Sequence, residues 1–312
     1  MIIKKIEDLE SIPEVVIIGG GVSAISIALI LEEYNTSCLI IEAGPSGPEI
    51  TETSQSYYNG KLLKDEYFDL KETRVRKFGG SSEHWEDSVT LRPLDEYDLK
   101  DWLIKKQDLD QFTEKAREIF RVKQDTELKD LLLNDSIRYT DFMYSLPKKP
   151  KRHEEIQFGK KFYNHISESQ KIILVPNTQV LSLDGNNKVE NIYYASDNKI
   201  KSIRPNITIL ATGGIENSRI LLYSQKISKN NFLKNLTIGK KWMEHITGLA
   251  IGSFVGSQKK LELMMQNIKK KLDYNATYFS LTDEALFRLN ILNVLLKFQK
   301  DKISSSLIIN LK

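Results

Sequence analysis

Cysteine, histidine and proline are scarce in this chain of 312 residues, at one, four and eight respectively. The single cysteine, Cys38, excludes an internal disulfide framework, and its place inside an apolar run marks it as a small packed residue. No apolar run approaches the ~20 residues that cross a bilayer. Residues 1–14 mix charges and lack the apolar core of a secretion signal. An excess of one charge is missing as well: 45 Lys and Arg face 42 Asp and Glu, a net +3 that implies no nucleic-acid partner. The basic cluster Lys148-Lys149-Pro150-Lys151-Arg152 has prolines and no aromatics around it and reads as a solvated loop. What is left is a globular composition, 40% hydrophobic and 28% charged, long enough for one large or two ordinary domains. A cytoplasmic, reducing location follows as the default expectation. Internal repeats and low-complexity segments are absent.

What is present is organised around residues 14–24. Val15, Val16, Ile17 and Ile18 form a short β-branched run suited to a buried parallel strand. Gly19, Gly20 and Gly21 follow, and then an apolar stretch from Val22 to Leu31 at helical spacing. As strand, turn and helix, Gly19-x-Gly21-x-x-Ala24 fits the dinucleotide fingerprint in its alanine-terminated form. Gly19 permits the turn, Gly21 lets a pyrophosphate approach the backbone, and Ala24 keeps helix and sheet close. The helix N-terminus supplies free N–H groups for the anion. A second apolar strand over 37–41 ends in Glu42-Ala43-Gly44. Glu42 lies 23 residues after Gly19, near the spacing of the acid that binds the adenosine ribose.

Further on, residues 45–60 read as an exposed loop and 61–73 as a charged stretch. Helical periodicity covers 95–122 and about 154–168. From Lys171 the period becomes strand-like, with runs at 172–175, 179–183, 189–195 and 199–203 separated by Asp184-Gly185-Asn186-Asn187 and Ser196-Asp197-Asn198, a small meander. It feeds a buried strand, 207–211, and a second glycine turn, Thr212-Gly213-Gly214, before a helix. Between the two junctions lies Arg76-Lys77-Phe78-Gly79-Gly80-Ser81-Ser82-Glu83-His84-Trp85. Its glycines and hydroxyls can set N–H and O–H groups against a phosphate, with cations nearby.

These segments, with Glu42-Ala43-Gly44, Ala211-Thr212-Gly213-Gly214-Ile215-Glu216-Asn217-Ser218-Arg219 and Ile238-Gly239-Lys240-Lys241-Trp242-Met243-Glu244-His245, occur in one order. In that order they resemble the glucose–methanol–choline oxidoreductase family, most closely its pyranose-oxidase and sugar-dehydrogenase branch. The resemblance covers 14 to about 250 and, more loosely, 276–296. It implies an α/β fold: an FAD-binding, Rossmann-like parallel sheet of glutathione-reductase type, with a β-meander insert and part of an α+β substrate domain. The domains would be 12–250, discontinuous with a helical insert over about 95–168, and 251–312, the start of the substrate domain. It implies FAD as cofactor and an alcohol or sugar as substrate, with hydride passing from the CH–OH carbon to flavin N5. Gly19, Gly21, Val22, Ser23 and Ala24 would hold the pyrophosphate, and Glu42 with Ala43 the ribose. Val180 would meet the adenine through its backbone, with Ala211 and Gly213 at the second junction. Arg76, Gly79, Gly80, Ser81, Ser82 and Trp85 would run along the flavin. His84 stands where several members bond the flavin 8α-methyl covalently and others carry His-Trp without a link, so both attachments remain open.

The sequence also departs from the family. Its general base is a histidine near the C-terminus, and no histidine follows His245, itself in a flavin-domain motif. The resemblance therefore leaves the catalytic residue unknown, with His245 a substitute base only against the structural role its motif implies. It leads us to expect a truncated product or one half of a split enzyme, completed by a further C-terminal polypeptide and poor in flavin when expressed alone. A non-catalytic FAD-binding remnant is the alternative. A nicotinamide-dependent dehydrogenase on the same first motif would leave the 213–217 motif unexplained.

Overall fold

The computed structural model describes residues 1–47, 74–85, 89–91, 94, 96–121, 123–124, 132–139, 143–145, 156–228, 233–240, 250–254, 259, 278–291, 296–300 and 307–311. The loop expected over 48–60, the charged stretch to 73, the basic cluster at 148–152 and His245 lie outside these residues. The chain forms two compact units, 1–88 with 147–242, and 89–146 with 243–312.

In the first unit, β1 (Val15–Ile18), helix α1 (Val22–Glu33) and β2 (Cys38–Ile41) follow one another. Helix α2 (Phe158–Glu168), β3 (Ile172–Val175) and the strands β4 (Gln179–Asp184), β5 (Asn191–Ser196) and β6 (Lys199–Ile203) come next. Strand β7 (Ile207–Leu210) and helix α3 (Gly213–Ile227) complete it. A parallel sheet has the order β7-β1-β2-β3, and β4, β5 and β6 make a separate antiparallel sheet. This is the α/β architecture expected, with one rearrangement. Ile172–Val175, read as the first strand of the meander, belongs to the parallel sheet. Its unbroken Ile-Ile-Leu-Val run, buried but for the half-buried Ile173, is what a strand covered on both faces requires.

The period of two divides the sheet's side chains between two faces. Val16, Ile18, Leu39, Ile41 and Val175 pack with Val180, Leu183, Ile192, Tyr194 and Ile203 of the meander and with Ile220 of α3. Val15, Ile17, Cys38, Ile40 and Leu174 are equally buried in register with them. Helix α1 packs on β2 and β3, and α2 on β3 and α1. Each such Val, Leu or Ile contributes roughly 1.5–3 kcal/mol of transfer free energy. Ser224 ties α3 to the meander: its Oγ accepts the Leu183 N–H at 2.8 Å and donates to the Ile220 carbonyl at 2.6 Å.

The second unit holds antiparallel strands in the order 250–254, 307–311, 296–300, 278–281, 137–139, 132–134, and a smaller sheet of 89–91, 143–145 and 123–124. Helical stretches at 106–110 and 113–120 replace the continuous helix suggested for 95–122. The insert read as helical thus contains short strands and folds with 243–312, whereas the helix at 158–168 folds with the first unit. Buried Tyr97 donates to the Asn290 side chain and meets the Phe287 ring edge-on at 4.9 Å. No helix among the described residues is long and apolar enough to cross a membrane.

Candidate functional site

In the first unit the C-terminal ends of β1, β2 and β7 border a cavity of about 550 Å³, the place where open parallel sheets bind ligands. The glycine turn after β1 forms one wall. Gly19 has φ +100°, and a Cβ on it would lie 2.5 Å from the Ala211 carbonyl oxygen, so the crossing beside β7 requires glycine. Gly21 differs. Its backbone is ordinary extended (φ −83°, ψ −171°), and an added Cβ would meet only Gly80 Cα, at 3.9 Å. The missing side chain at Gly21 is therefore cavity space. No side chain caps α1, whose first residues Val22 and Ser23 face the cavity. Ala24 lies fully buried beneath them, as a close helix–sheet contact needs.

The second junction mirrors the first. Ala211, Thr212, Gly213 and Gly214 line the cavity, and no side chain caps α3. Gly213 has φ +82° and open space where a Cβ would stand. Asn217 holds this turn by accepting from both the N–H (2.9 Å) and the hydroxyl (2.6 Å) of Thr212. Two uncapped helix N-termini thus open on one cavity. Their N–H groups and dipole ends suit an anion such as a pyrophosphate.

Glu42 lies in the cavity wall, 6% exposed. Its carboxylate accepts the Gly20 N–H at 2.6 Å and the Gly44 N–H at 2.7 Å, one on each oxygen. Each oxygen keeps a lone pair for a ligand hydroxyl. Burial pushes this carboxyl above its ordinary pKa, while those N–H groups and the Arg76 charge pull it back. Ala43 and Arg76 also line the cavity, as does Val180 beside Thr178 and Gln179.

The third wall is the segment after Lys77. Its backbone crosses the first glycine turn directly: Gly79 donates to the Gly20 carbonyl at 2.7 Å and bridges Gly21 in parallel. A Cβ on Gly80 would stand 3.0 Å from Gly21 Cα. Gly80, Ser81, Ser82 and Trp85 line the cavity. Gly79 and His84 do not. Gly79 (φ +99°) turns the chain behind the wall, where its Cβ would strike Glu83 Oε1 at 2.3 Å. His84, the site considered for a covalent link, sits off the lining, and its buried Nε2 has no hydrogen-bond partner among the described residues.

The structure also assigns places to residues the sequence did not single out. Gly159 abuts this segment so closely that a Cβ would lie 2.3 Å from the Phe78 carbonyl oxygen. Nothing in a lone glycine at the start of a helix signals that contact. Arg74, Thr178, Gln179 and the ion-paired Glu216 and Arg219 (2.8 Å) also line the cavity. The last two stand in a motif whose helical spacing places them near the junction. The Tyr-x-x-x-Lys spacing of a nicotinamide-dependent reading occurs at Tyr57–Lys61, Tyr67–Lys71 and Tyr144–Lys148. Five of those six residues lie outside the described residues, and Tyr144 lies in the second unit. Against that reading stands the second junction.

No family model and no curated protein matches the chain. Solved structures do. A formate oxidase aligns with a TM-score of 0.55 at 14% identity, over 96% of this chain and 72% of its own. An arginine-to-lysine variant of the Aspergillus oryzae RIB40 formate oxidase, whose structure concerns FAD modification, aligns with a TM-score of 0.52, at the same identity and coverage. The pyridoxine 4-oxidase from Mesorbium loti aligns at 15% identity with a TM-score of 0.43. The chain spans 51% of that enzyme's length. What the chain shares with the formate oxidases is the fold.

Proposed function

We propose that the first unit binds FAD and serves an oxidoreductase of the glucose–methanol–choline type, acting on the CH–OH group of an alcohol or sugar. The observation that carries this reading is the pair of glycine-bent junctions, at Gly19 and Gly213, whose uncapped helices open on one cavity. Fit to a dinucleotide rests on the chain's own geometry: the Cβ-free space at Gly21 and Gly213 and the carboxylate of Glu42 in the wall. In this reading the first turns of α1 and α3 hold the pyrophosphate, Glu42 takes the ribose hydroxyls, and Thr178–Val180 border the adenine. Gly80–Ser82 and Trp85 lie along the isoalloxazine. When bound, the flavin supplies hydride acceptance at N5.

No histidine is among the described residues that line the cavity. We infer that the group taking the substrate's hydroxyl proton comes from further polypeptide, joined to this chain or separate, that completes the enzyme. FAD binding without turnover by this chain is the second reading, favoured by the same observation. Covalent attachment through His84 requires the imidazole to turn toward the cavity, and its unpartnered Nε2 leaves it free of a competing hydrogen bond among the described residues. Titration of the purified chain with FAD, followed by flavin fluorescence, tests the central reading. Saturation at one FAD per chain, with no competition from NAD, is expected. Tighter binding of NAD than of FAD would refute it. Flavin that stays with acid-precipitated protein would show the covalent bond.

A further inference from the structure

Helix α2 begins at a place its own sequence leaves uncapped: Gln157, at the N-cap, makes no side-chain cap. The cap comes from 76 residues away. Ser82 Oγ accepts the Phe158 N–H at 2.9 Å, and Glu83 Oε1 accepts the Gly159 N–H, also at 2.9 Å. Ser82 Oγ in turn donates to the Gly79 carbonyl at 2.8 Å. Gln157 Nε2 returns a bond to the Glu83 carbonyl at 2.9 Å. The other carboxylate oxygen of Glu83 lies 3.6 Å from Lys77 Nζ, and both side chains are 1% exposed. The segment that lines the cavity is therefore bolted to a helix that does not.

The far end of α2 is fastened too. His165 Nε2 lies 2.5 Å from Glu32 Oε2 on α1, and Ser169 hydrogen-bonds the other oxygen of Glu32. Helix α1 starts at the cavity with Val22 and Ser23. Thus α2 is tied at its start to the Gly79–Glu83 segment and at its far end to the C-terminal turn of α1. A buried ion pair is weak evidence of net stability, because desolvation offsets the attraction. Where such a pair holds a functional wall, its contribution is geometric preorganisation.

We propose that Glu83, held by Lys77, is a positioning residue for the nucleotide site. It fixes the Gly80–Ser82 wall to the N-terminus of α2, so that the wall's hydroxyl and N–H groups stand ready for the ligand. The proposal rests on the FAD reading above and deepens it. Glu83→Gln keeps the volume and an acceptor for the Gly159 N–H but removes the negative charge that faces Lys77. Hydrogen exchange of the ligand-free chain should speed up at amides 79–85 and 158–160, and the FAD dissociation constant should rise about tenfold.

Adding Lys77→Met to Glu83→Gln removes the buried ammonium that has lost the Glu83 carboxylate and should restore the urea midpoint, while exchange at 79–85 stays fast and FAD affinity stays about tenfold weaker. Affinity returning together with the midpoint would reduce Glu83 to a structural role and overturn the proposal. If Glu83→Gln does not fold, Ser82→Ala removes the acceptor of the Phe158 N–H and is expected to give the same exchange pattern and affinity loss. Unchanged exchange at 79–85 in Glu83→Gln sinks the tether whatever the ligand. A wild-type chain that binds no FAD removes the nucleotide reading and this proposal together.

Discussion

Two glycines of one turn, two residues apart, should fail in opposite ways when each gains a methyl group. At Gly19 the methyl meets a left-handed backbone, φ +100°, and a carbonyl oxygen 2.5 Å away that belongs to the neighbouring strand's exit. The backbone strain costs roughly 1–2 kcal/mol. Displacing main chain at the β1–β7 crossing adds about 1–3 kcal/mol more. Gly19→Ala is therefore expected to lose about 2–5 kcal/mol of folding stability. At Gly21 the backbone is ordinary and nothing stands within 3.9 Å. Alanine is a poorer N-cap than glycine, by up to ~1 kcal/mol. Reduced freedom of the unfolded chain gives back about 0.4–1 kcal/mol. Gly21→Ala should then fold within about 1 kcal/mol of wild type. Its methyl group occupies the space where a pyrophosphate would approach the α1 N–H groups. A hundredfold loss of FAD affinity is expected, about 2.8 kcal/mol at 1.4 kcal/mol per decade. Urea unfolding followed by circular dichroism gives the first pair of values, and flavin fluorescence titration the affinity. Equal destabilisation of the two variants, or wild-type FAD affinity in Gly21→Ala, would refute the division of labour between these glycines.

Other residues carry their own tests. Ser224→Ala strips the Leu183 N–H of its acceptor in a buried place and should lower stability by about 1–3 kcal/mol in urea unfolding; an unchanged midpoint would deny that tie between α3 and the meander. For Glu32, burial alone would raise the pKa, but the Ser169 hydroxyl and His165 outweigh it and hold the carboxyl below its ordinary 4.5. A lowered folded value contributes stability above pH 4.5 that is lost as pH falls through the folded value. Glu32→Gln should thus flatten that acid loss, by at most ~1 kcal/mol for a partly solvated group, and an acid limb identical to wild type would count against it. Burial pushes the Cys38 thiol up to about 12. Iodoacetamide at pH 8 should therefore label the folded chain no faster than the chain unfolds, and rapid labelling in native buffer would show β2 open to solvent.

Elements that declare themselves by local pattern were legible in the sequence. The β-branched run 15–18, its glycine turn and the start of α1 at Val22 stand where they were read. So do the strand at 207–210 and the meander's turns. Helix α3, by contrast, begins at Gly213, before the apolar positions that reveal it, because a glycine at the junction carries no periodic signal. Pairing is the harder part. Ile172–Val175 was legible as a strand but not as a partner of β2: its unbroken apolar run suits a strand covered on both faces without naming its neighbour. Helical spacing over 95–122 masked the turns near 97–101, and the short strand at 137–139 is held by 278–281, far along the chain. That the two glycine junctions border one cavity was legible because each is a local strand–turn–helix pattern. The capping of Phe158 and Gly159 by Ser82 and Glu83 was not, because it joins residues 76 apart with no shared motif.

The most direct measurement is a crystal structure of the chain grown with excess FAD. The account predicts one flavin nucleotide per chain, its pyrophosphate against the first turn of α1 beside Gly21 and its adenine end toward Glu42 and Val180. A nucleotide seated elsewhere, or clear density for the two junctions with no FAD between them, would contradict it.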